Sequence, residues 1–277
     1  MTTASSAPNL AIFRSYASKP NPTTIPPSIL LSHSGTSLTV FDAFPKSIFH
    51  LLVIPRIKPP LSARHLTDLR SLLQCEKSVA KEVLMNLSEE ANNAKKMIEE
   101  EMMKKYQFKW EIWIGFHPIS SMEHLHLHVL SADLFSPKMK LKKHYNSFYP
   151  SLGFFLHLKD VLSWFDAEPS YYRRMIKLDA SQYQPLLKDG DLCCWRCDRA
   201  LGSMPKLKAH LQEEFEKLTK IEKAKLERKR KRVDVPASSV QPEVSVADDE
   251  RPEKIARTDP SPDDDSSDPT VAGDLVS

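Results

Sequence analysis

The run MEHLHLHVLS, from Met122 to Ser131, places His124, His126 and His128 on alternate positions, with Leu125, Leu127 and Val129 between them. A β-strand turns successive side chains to opposite faces, so this spacing predicts a strand with one aliphatic face and one imidazole face. The aliphatic face belongs in a core, and the imidazole face lines a site. Same-face neighbours stand ~7 Å apart along a strand, so three such rings converge on one metal ion only with help from another ligand. Phosphorus chemistry suits the row better. A neutral ring nitrogen attacks phosphorus, flanking imidazoles donate to the nonbridging oxygens, and a further histidine protonates the leaving group. A metal site is the alternative reading of the same three rings.

Around this strand the pattern is that of a mixed α+β domain. SLTVFDAF (37–44) and SIFHLLVIP (47–55) read as strands joined at Phe44-Pro45-Lys46, and KWEIWIGF (109–116) as a third leading into the histidine strand. LAIFRSYASKP (10–20) reads as a short helix stopped near Pro20. From Ser62 to about Tyr106 the apolar spacing is helical, as at Leu66, Leu69, Leu72 and Leu73. After Asp133 the chain becomes basic and irregular in SPKMKLKKHYNSF, and a helical pattern returns at HLKDVLSWF. These elements predict an antiparallel sheet with flanking helices over 10–165, a linker and small domain over 166–220, and unpacked ends at 1–9 and 221–277.

The net charge of +3 hides an uneven distribution. Residues 233–277 carry 12 acidic and 3 basic side chains, whereas the preceding 232 residues carry 36 basic and 24 acidic ones. A basic body with an acidic tail points to a polyanionic partner, nucleic acid above all. One isolated thiol, Cys75, and the cluster Cys193, Cys194 and Cys197 do not make a disulfide framework, which points to a reducing compartment. No run approaches ~18 apolar residues and no basic-then-apolar leader opens the chain, so a soluble intracellular protein without a membrane partner is expected.

Cys194 and Cys197 form C-x2-C, and His210 follows after 12 residues, the spacing of a zinc finger with structural zinc. Where a second histidine is expected the chain has Glu214, one helical turn beyond His210 and therefore on the same face. Cys193 is the alternative fourth ligand. The helix that carries them is well marked by Pro205 at its start and by the stripe Leu207, Leu211, Phe215 and Leu218. With Lys206 and Lys208 on this helix, the finger is expected to contribute to a DNA-binding surface.

The order His-x-His-x-His after a strand ending FHLLVIPR resembles the histidine-triad (HIT) superfamily of nucleotide hydrolases and transferases. FPKSIFHLLVIP, GFHPISSMEHLHLHVLS and SPKMKLKKHYNSF together resemble its aprataxin-like branch over about residues 10–220, including a terminal zinc finger whose glutamate is a fungal-type variant. The resemblance implies a DNA repair enzyme that removes AMP from 5′-adenylated DNA ends left by abortive ligation. It implies that His126 is the nucleophile and forms a covalent histidine–AMP intermediate, with His124 and His128 orienting it and binding the α-phosphate. His117 matches the family's leaving-group acid, and His50 the histidine that supports the triad. Asp42 falls where the family holds the ribose hydroxyls, while Ser121 and Met122 line the same pocket. Lys46, Lys143 and His144 are the implied DNA-phosphate contacts, and no catalytic metal is expected.

Taken singly, Asp42 is also an ordinary turn residue, and Phe13 and Tyr16, candidates for an aromatic wedge on the terminal base pair, are also ordinary core residues. ERKRKR (227–232) reads as a nuclear import signal or an extra DNA contact, and the acidic tail as a regulator with unidentified partners. The expectation is thus a monomeric nuclear DNA-5′-adenylate hydrolase acting on nicked or broken DNA. A HIT hydrolase of small adenosine phosphoramidates or dinucleotides and a non-catalytic DNA-binding adaptor are the alternatives.

Overall fold

The computed structural model of the chain describes residues 10–188 and 191–233. The ends expected to be unpacked at 1–9 and in the acidic tail lie outside the described residues. In chain order the elements are α1 (Ile12–Ala17), β1 (Leu30–His33), β2 (Ser37–Phe41), β3 (His50–Pro55), α2 (Leu69–Leu73), α3 (Lys77–Tyr106), β4 (Ile112–Phe116) and β5 (Leu127–Ser131). There follow α4 (Lys142–Asn146), β6 (Leu156–His157), α5 (Leu158–Ser163), α6 (Pro169–Met175), α7 (Ala180–Lys188) and α8 (Met204–Val233). The strands form one antiparallel sheet in the order β1-β2-β3-β5-β4-β6. Among the described residues no helix is long and apolar enough to cross a membrane.

Register decides what each face of the sheet carries. Leu51 pairs with Val129 and Val53 with Leu127, and all four side chains join the core under α3. That helix buries Ala80, Val83, Leu84, Leu87, Ala91, Ala94, Ile98 and Met102, a stripe at three- and four-residue steps that suits one helical face. On the other face His50 pairs with Leu130, Leu52 with His128, and Gly115 with His128. The aliphatic residues of the histidine run are therefore core residues, as their alternation requires: Leu125, Leu127 and Val129 are all buried.

Four details differ from the sequence expectation. The regular strand begins only at Leu127, and His124 has φ +87°, so the run does not enter the sheet as one extended segment. Its backbone is instead tied to the preceding loop, where His124 N–H donates to Thr67 O and Leu125 N–H to Leu66 O. The helical stretch expected from Ser62 begins at Leu69, where Asp68 caps α2 by accepting from Ser71 N–H, and is broken before α3. The basic segment after Asp133 contains the short helix α4. Finally, residues 221–233, expected to be unpacked, continue α8 as helix. Their described side chains are mostly exposed, so composition foretold solvation but not the backbone.

Gly115 sits where β4 meets both β5 and β6, and a Cβ there would lie 2.5 Å from Leu156 O and 2.7 Å from the Phe155 ring. Backbone oxygen cannot yield as a flexible side chain does. Gly115→Ala is expected to push β6 and Phe155 away from the sheet and cost about 1–3 kcal/mol in urea unfolding. A fully wild-type midpoint would contradict this close approach.

Candidate active site and zinc finger

Four imidazoles meet on the face of the sheet away from α3. Ring centroids lie 5.0 Å apart for His126 and His128, 4.4 Å for His117 and His128, and 5.2 Å for His50 and His128. His50 and His128 are diagonal neighbours on adjacent strands, which is why their rings can touch. Phe148 closes the cluster, its ring 4.8 Å from His117 and 5.3 Å from His128. Sequence reasoning missed Phe148, although it belongs to the same KKHYNSF block that supplied Lys143 and His144.

Hydrogen bonds assign the tautomers. Lys46 N–H donates to His50 Nδ1 at 3.1 Å, so the His50 proton resides on Nε2 and is donated to His128 Nδ1 at 2.9 Å. Neutral His128 therefore carries its own proton on Nε2, a buried atom with no protein partner. His126 Nδ1–H donates to the His124 carbonyl at 2.9 Å, which leaves the Nε2 lone pair free. His117 donates to the Ser147 backbone, and its Nε2 is buried without a partner. The arrangement sets the His126 lone pair beside the His128 N–H donor, with a second unprotonated nitrogen at His117 Nε2.

His124 departs from the expected division of labour. Its ring donates through Nε2 to Pro55 O at 2.7 Å, so its contribution to His126 runs through its backbone carbonyl. Ser120, not the exposed Ser121, lines the small cavity at His126 and His117, and its hydroxyl clamps Met122 by accepting from Met122 N–H and donating to Met122 O. Asp42 holds two contacts at once: Oδ1 accepts from Phe44 N–H at 2.7 Å, and Oδ2 lies 3.3 Å from His50 Nδ1. Asp42, His50 and His128 come close enough to share an ion, but the facing ring nitrogens of the two histidines already hydrogen-bond each other. Phe13 meets His126 edge-on at 5.1 Å, and Phe13 and Tyr16 also pack against the small core of Ala17 and Ile25. Arg14 pairs with Glu123 at 2.6 Å, which seats α1 beside the histidine run.

Burial dominates the electrostatics. It lowers His50 to about 4 despite the pull of Asp42, and His124 to about 4 despite its bond to Pro55. Burial likewise takes His117 to about 3 and holds His126 and His128 below their ordinary value. Lys46 is lowered by burial, with Asp42 opposing, and His144 by burial and by the charges of Lys46 and Lys143. Lys46 Nζ donates to Phe44 O, while Lys143 is exposed on α4, so these groups form a basic rim to the cluster.

These values predict an acid-labile fold. A ring near 4 when folded and about 6.5 when unfolded contributes stability that is complete above about pH 6.5 and disappears as pH falls toward 4. Asp133 is raised to about 6 by burial, against its bonds from Ser131, Ile48 and Trp110, so its contribution has the opposite sign and is lost as pH rises through 6. Between pH 7 and pH 5, His50, His117 and His124 each remove roughly 2 kcal/mol while Asp133 returns roughly 1. A net loss of about 5 kcal/mol is expected in urea titrations at the two pH values, and equal stability at both would contradict neutral buried rings.

On the same face of the sheet, Leu192, Cys194, Leu207 and Leu211 share a core with Trp113, Leu130 and Tyr145. Tyr145 OH donates to Cys193 O at 2.7 Å and accepts from Trp195 N–H at 3.0 Å, and Trp113 meets Trp195 at 4.9 Å. The cysteine segment is thereby bonded to α4. The ligand atoms of Cys194, Cys197 and His210 lie within 4.8 Å of one another, with Cys197 Sγ 3.2 Å from His210 Nε2. Arg196 N–H points at Cys194 Sγ at 3.4 Å, a donor that favours a thiolate. These residues fit zinc. Glu214 stands one turn from His210 but is paired with Lys217 at 2.8 Å, and Cys193 lies outside the cluster with its side chain against the neighbouring core.

Two family models match the chain: the scavenger mRNA decapping enzyme C-terminal binding family over residues 12–144, and the C2HE / C2H2 / C2HC zinc-binding finger over residues 151–217. An aprataxin-like protein of Schizosaccharomyces pombe is 34% identical over 184 residues, covering 64% of this chain and 70% of that protein. Aprataxin of Gallus gallus is 31% identical over 191 residues, covering 69% of this chain and 52% of that protein, so the chain spans about half the length of the avian relative. The crystal structure of the aprataxin ortholog Hnt3 from S. pombe superposes with a TM-score of 0.56 at 28% identity, over 77% of this chain and 94% of that one. A structure of Hnt3 in complex with DNA and guanosine gives a TM-score of 0.52 at 28% identity, over 75% and 93% of the two chains. On its 34% identity to a relative that it covers to 70%, and its superposition on Hnt3 over 77% of its own length, this chain belongs to the aprataxin family.

Proposed function

We propose that the protein is a DNA repair hydrolase that removes AMP from 5′-adenylated DNA ends. The observation that carries this reading is the tautomer of His126: its proton is committed to the His124 carbonyl, so Nε2 is a nucleophile at neutral pH. Attack of Nε2 on the α-phosphorus forms a P–N bond and breaks the anhydride P–O bond, releasing the DNA 5′-phosphate. Water then attacks the same phosphorus, breaks the P–N bond and releases AMP. His128 Nε2–H is placed to donate to a nonbridging oxygen through both steps, and the His50 bond holds its tautomer. His117 starts neutral, so to act on the leaving group it must first gain a proton on Nε2. The negative charge of bound phosphates favours that by offsetting the burial that lowers it.

In this reading no metal takes part in catalysis; the imidazoles supply the positive charge as it is needed. Asp42 takes the ribose hydroxyls, and Lys46, Lys143 and His144 take backbone phosphates on the basic rim. Cys194, Cys197, His210 and Glu214 hold a zinc ion, which would fix the finger as a fold element beside the site. Phe13 stands where an aromatic contact with the end of the duplex could be made. A DNA-end substrate and the basic run at 227–232 support a nuclear enzyme.

Two substrates decide between this reading and a small-nucleotide hydrolase. A nicked duplex carrying 5′-AMP is expected to release AMP with far higher kcat/KM than an adenosine phosphoramidate. Equal efficiency on both would transfer the assignment to small nucleotides, and DNA binding without AMP release from either would leave an adaptor.

A further inference from the structure

Leu218 is the last side chain of α8 packed against the main core, yet the helix runs on to Val233. Those final turns extend roughly 22 Å at ~1.5 Å per residue. They carry exposed Lys220, Lys223, Lys225, Arg228, Lys229 and Arg230, then Lys231 and Arg232 in the sequence, against only Glu222 and Glu227. Among the described residues this stretch makes one ion pair, Lys225 to Glu222 at 2.7 Å. Lys225 and Lys229 are four apart, and Lys220–Lys223 and Lys225–Arg228 three apart, spacings at which like charges repel on a helix. A largely charged helix whose few apolar residues, Ile221, Ala224 and Leu226, form no core among the described residues, and whose cations are set against one another, gains most from an external polyanion. Duplex DNA carries one negative charge per ~1.7 Å of axis, opposite in sign to this rod of cations and about twice its net linear density.

We propose that residues 219–232 form a DNA arm that lies along the phosphate backbone of the duplex flanking the end held by the finger. The partner rests on the reading of the protein as a DNA-end hydrolase; the arm itself rests on the helix. Its helix is continuous with the one that carries His210 and, in its first turns, Lys206 and Lys208, so the arm is rigidly joined to the finger. The finger shares its core with the sheet face that bears the histidines, which places arm, finger and site in one rigid unit. About 22 Å of arm adds roughly six base pairs of contact beyond the finger.

The test uses the full chain with Lys223→Gln, Arg228→Gln, Lys229→Gln and Arg230→Gln, since glutamine keeps helix propensity while removing charge. Four lost phosphate contacts should reduce the slope of log affinity against log salt by about 3–4 and weaken binding at ~0.1 M salt tenfold or more. Shortening one arm of the nicked duplex by about six base pairs should weaken the wild type and leave the variant unchanged. A companion with Lys223→Arg and Lys229→Arg should keep the wild-type slope, and circular dichroism should show helix retained in both. Release of AMP from a small adenosine phosphoramidate should be unaltered throughout. An unchanged slope in the glutamine variant, in a wild type that does release AMP from adenylated duplex, overturns the arm alone. A wild type that does not bind duplex overturns the arm and the proposed substrate together.

Discussion

Replacing His126 by alanine should lower AMP release from a 5′-adenylated nick by on the order of 10⁴-fold or more, with duplex affinity held within about twofold. The size follows from the role. The other ring nitrogens are committed elsewhere: His128 Nε2 bears a proton, the His124 ring is turned to Pro55, and in this reading the His117 Nε2 lone pair takes up the proton for the leaving group. Solvent water attacking directly would have to replace a fixed nucleophile, losing the orientation that a side chain buried to 8% exposure supplies. His50→Ala should do less, because it removes only the bond that sets the His128 tautomer. A loss of about 10–100-fold in kcat with little change in KM is expected, and a deeper loss than that of His126→Ala would reverse the assigned roles.

Chelation of zinc should have the second largest effect, on the fold rather than on the chemistry. Structural zinc contributes on the order of 10 kcal/mol to isolated fingers. Here the finger side chains Cys194, Leu207 and Leu211 lie in one core with Trp113 and Tyr145 of the sheet domain. Loss of metal should therefore spread, loosening the Tyr145 bonds to Cys193 and Trp195 and lowering the thermal midpoint by at least about 5–10 °C. Elemental analysis should find one zinc per chain. Glu214→Ala should weaken zinc retention about 10–100-fold and Cys193→Ser should not, whereas the opposite pattern would make Cys193 the fourth ligand. For Glu214 to bind, it must leave Lys217, an exposed partner whose loss costs little.

Much of this was legible in the sequence, and the physical reasons are specific. Leu125, Leu127 and Val129 announced a buried strand face because period-two alternation has few other solutions, and Leu207, Leu211 and Phe215 announced a helical stripe in the same way. The C-x2-C spacing with His210 foretold three ligand atoms that do converge. What alternation could not convey was the positive φ of His124, which is set by bonds from the loop at Leu66 and Thr67, more than 50 residues upstream. Nor could spacing foresee Phe148 against three imidazoles, since tertiary folding brings α4 over the sheet. Strands β1 and β6 are too short to show a period, and α8 beyond Lys220 looks like a charged coil because its composition lacks a buried stripe.

The central claim is covalent catalysis at His126, and trapping the intermediate tests it most directly. Wild-type protein mixed with excess 5′-adenylated nicked duplex, stopped within a fraction of a turnover under alkaline denaturing conditions, should yield one peptide modified by AMP. Tandem mass spectrometry should place that AMP on His126, with an amount matching the burst of released DNA 5′-phosphate. Release of AMP at the full rate with no burst, or an adduct on His124, His128 or His117, would contradict the account.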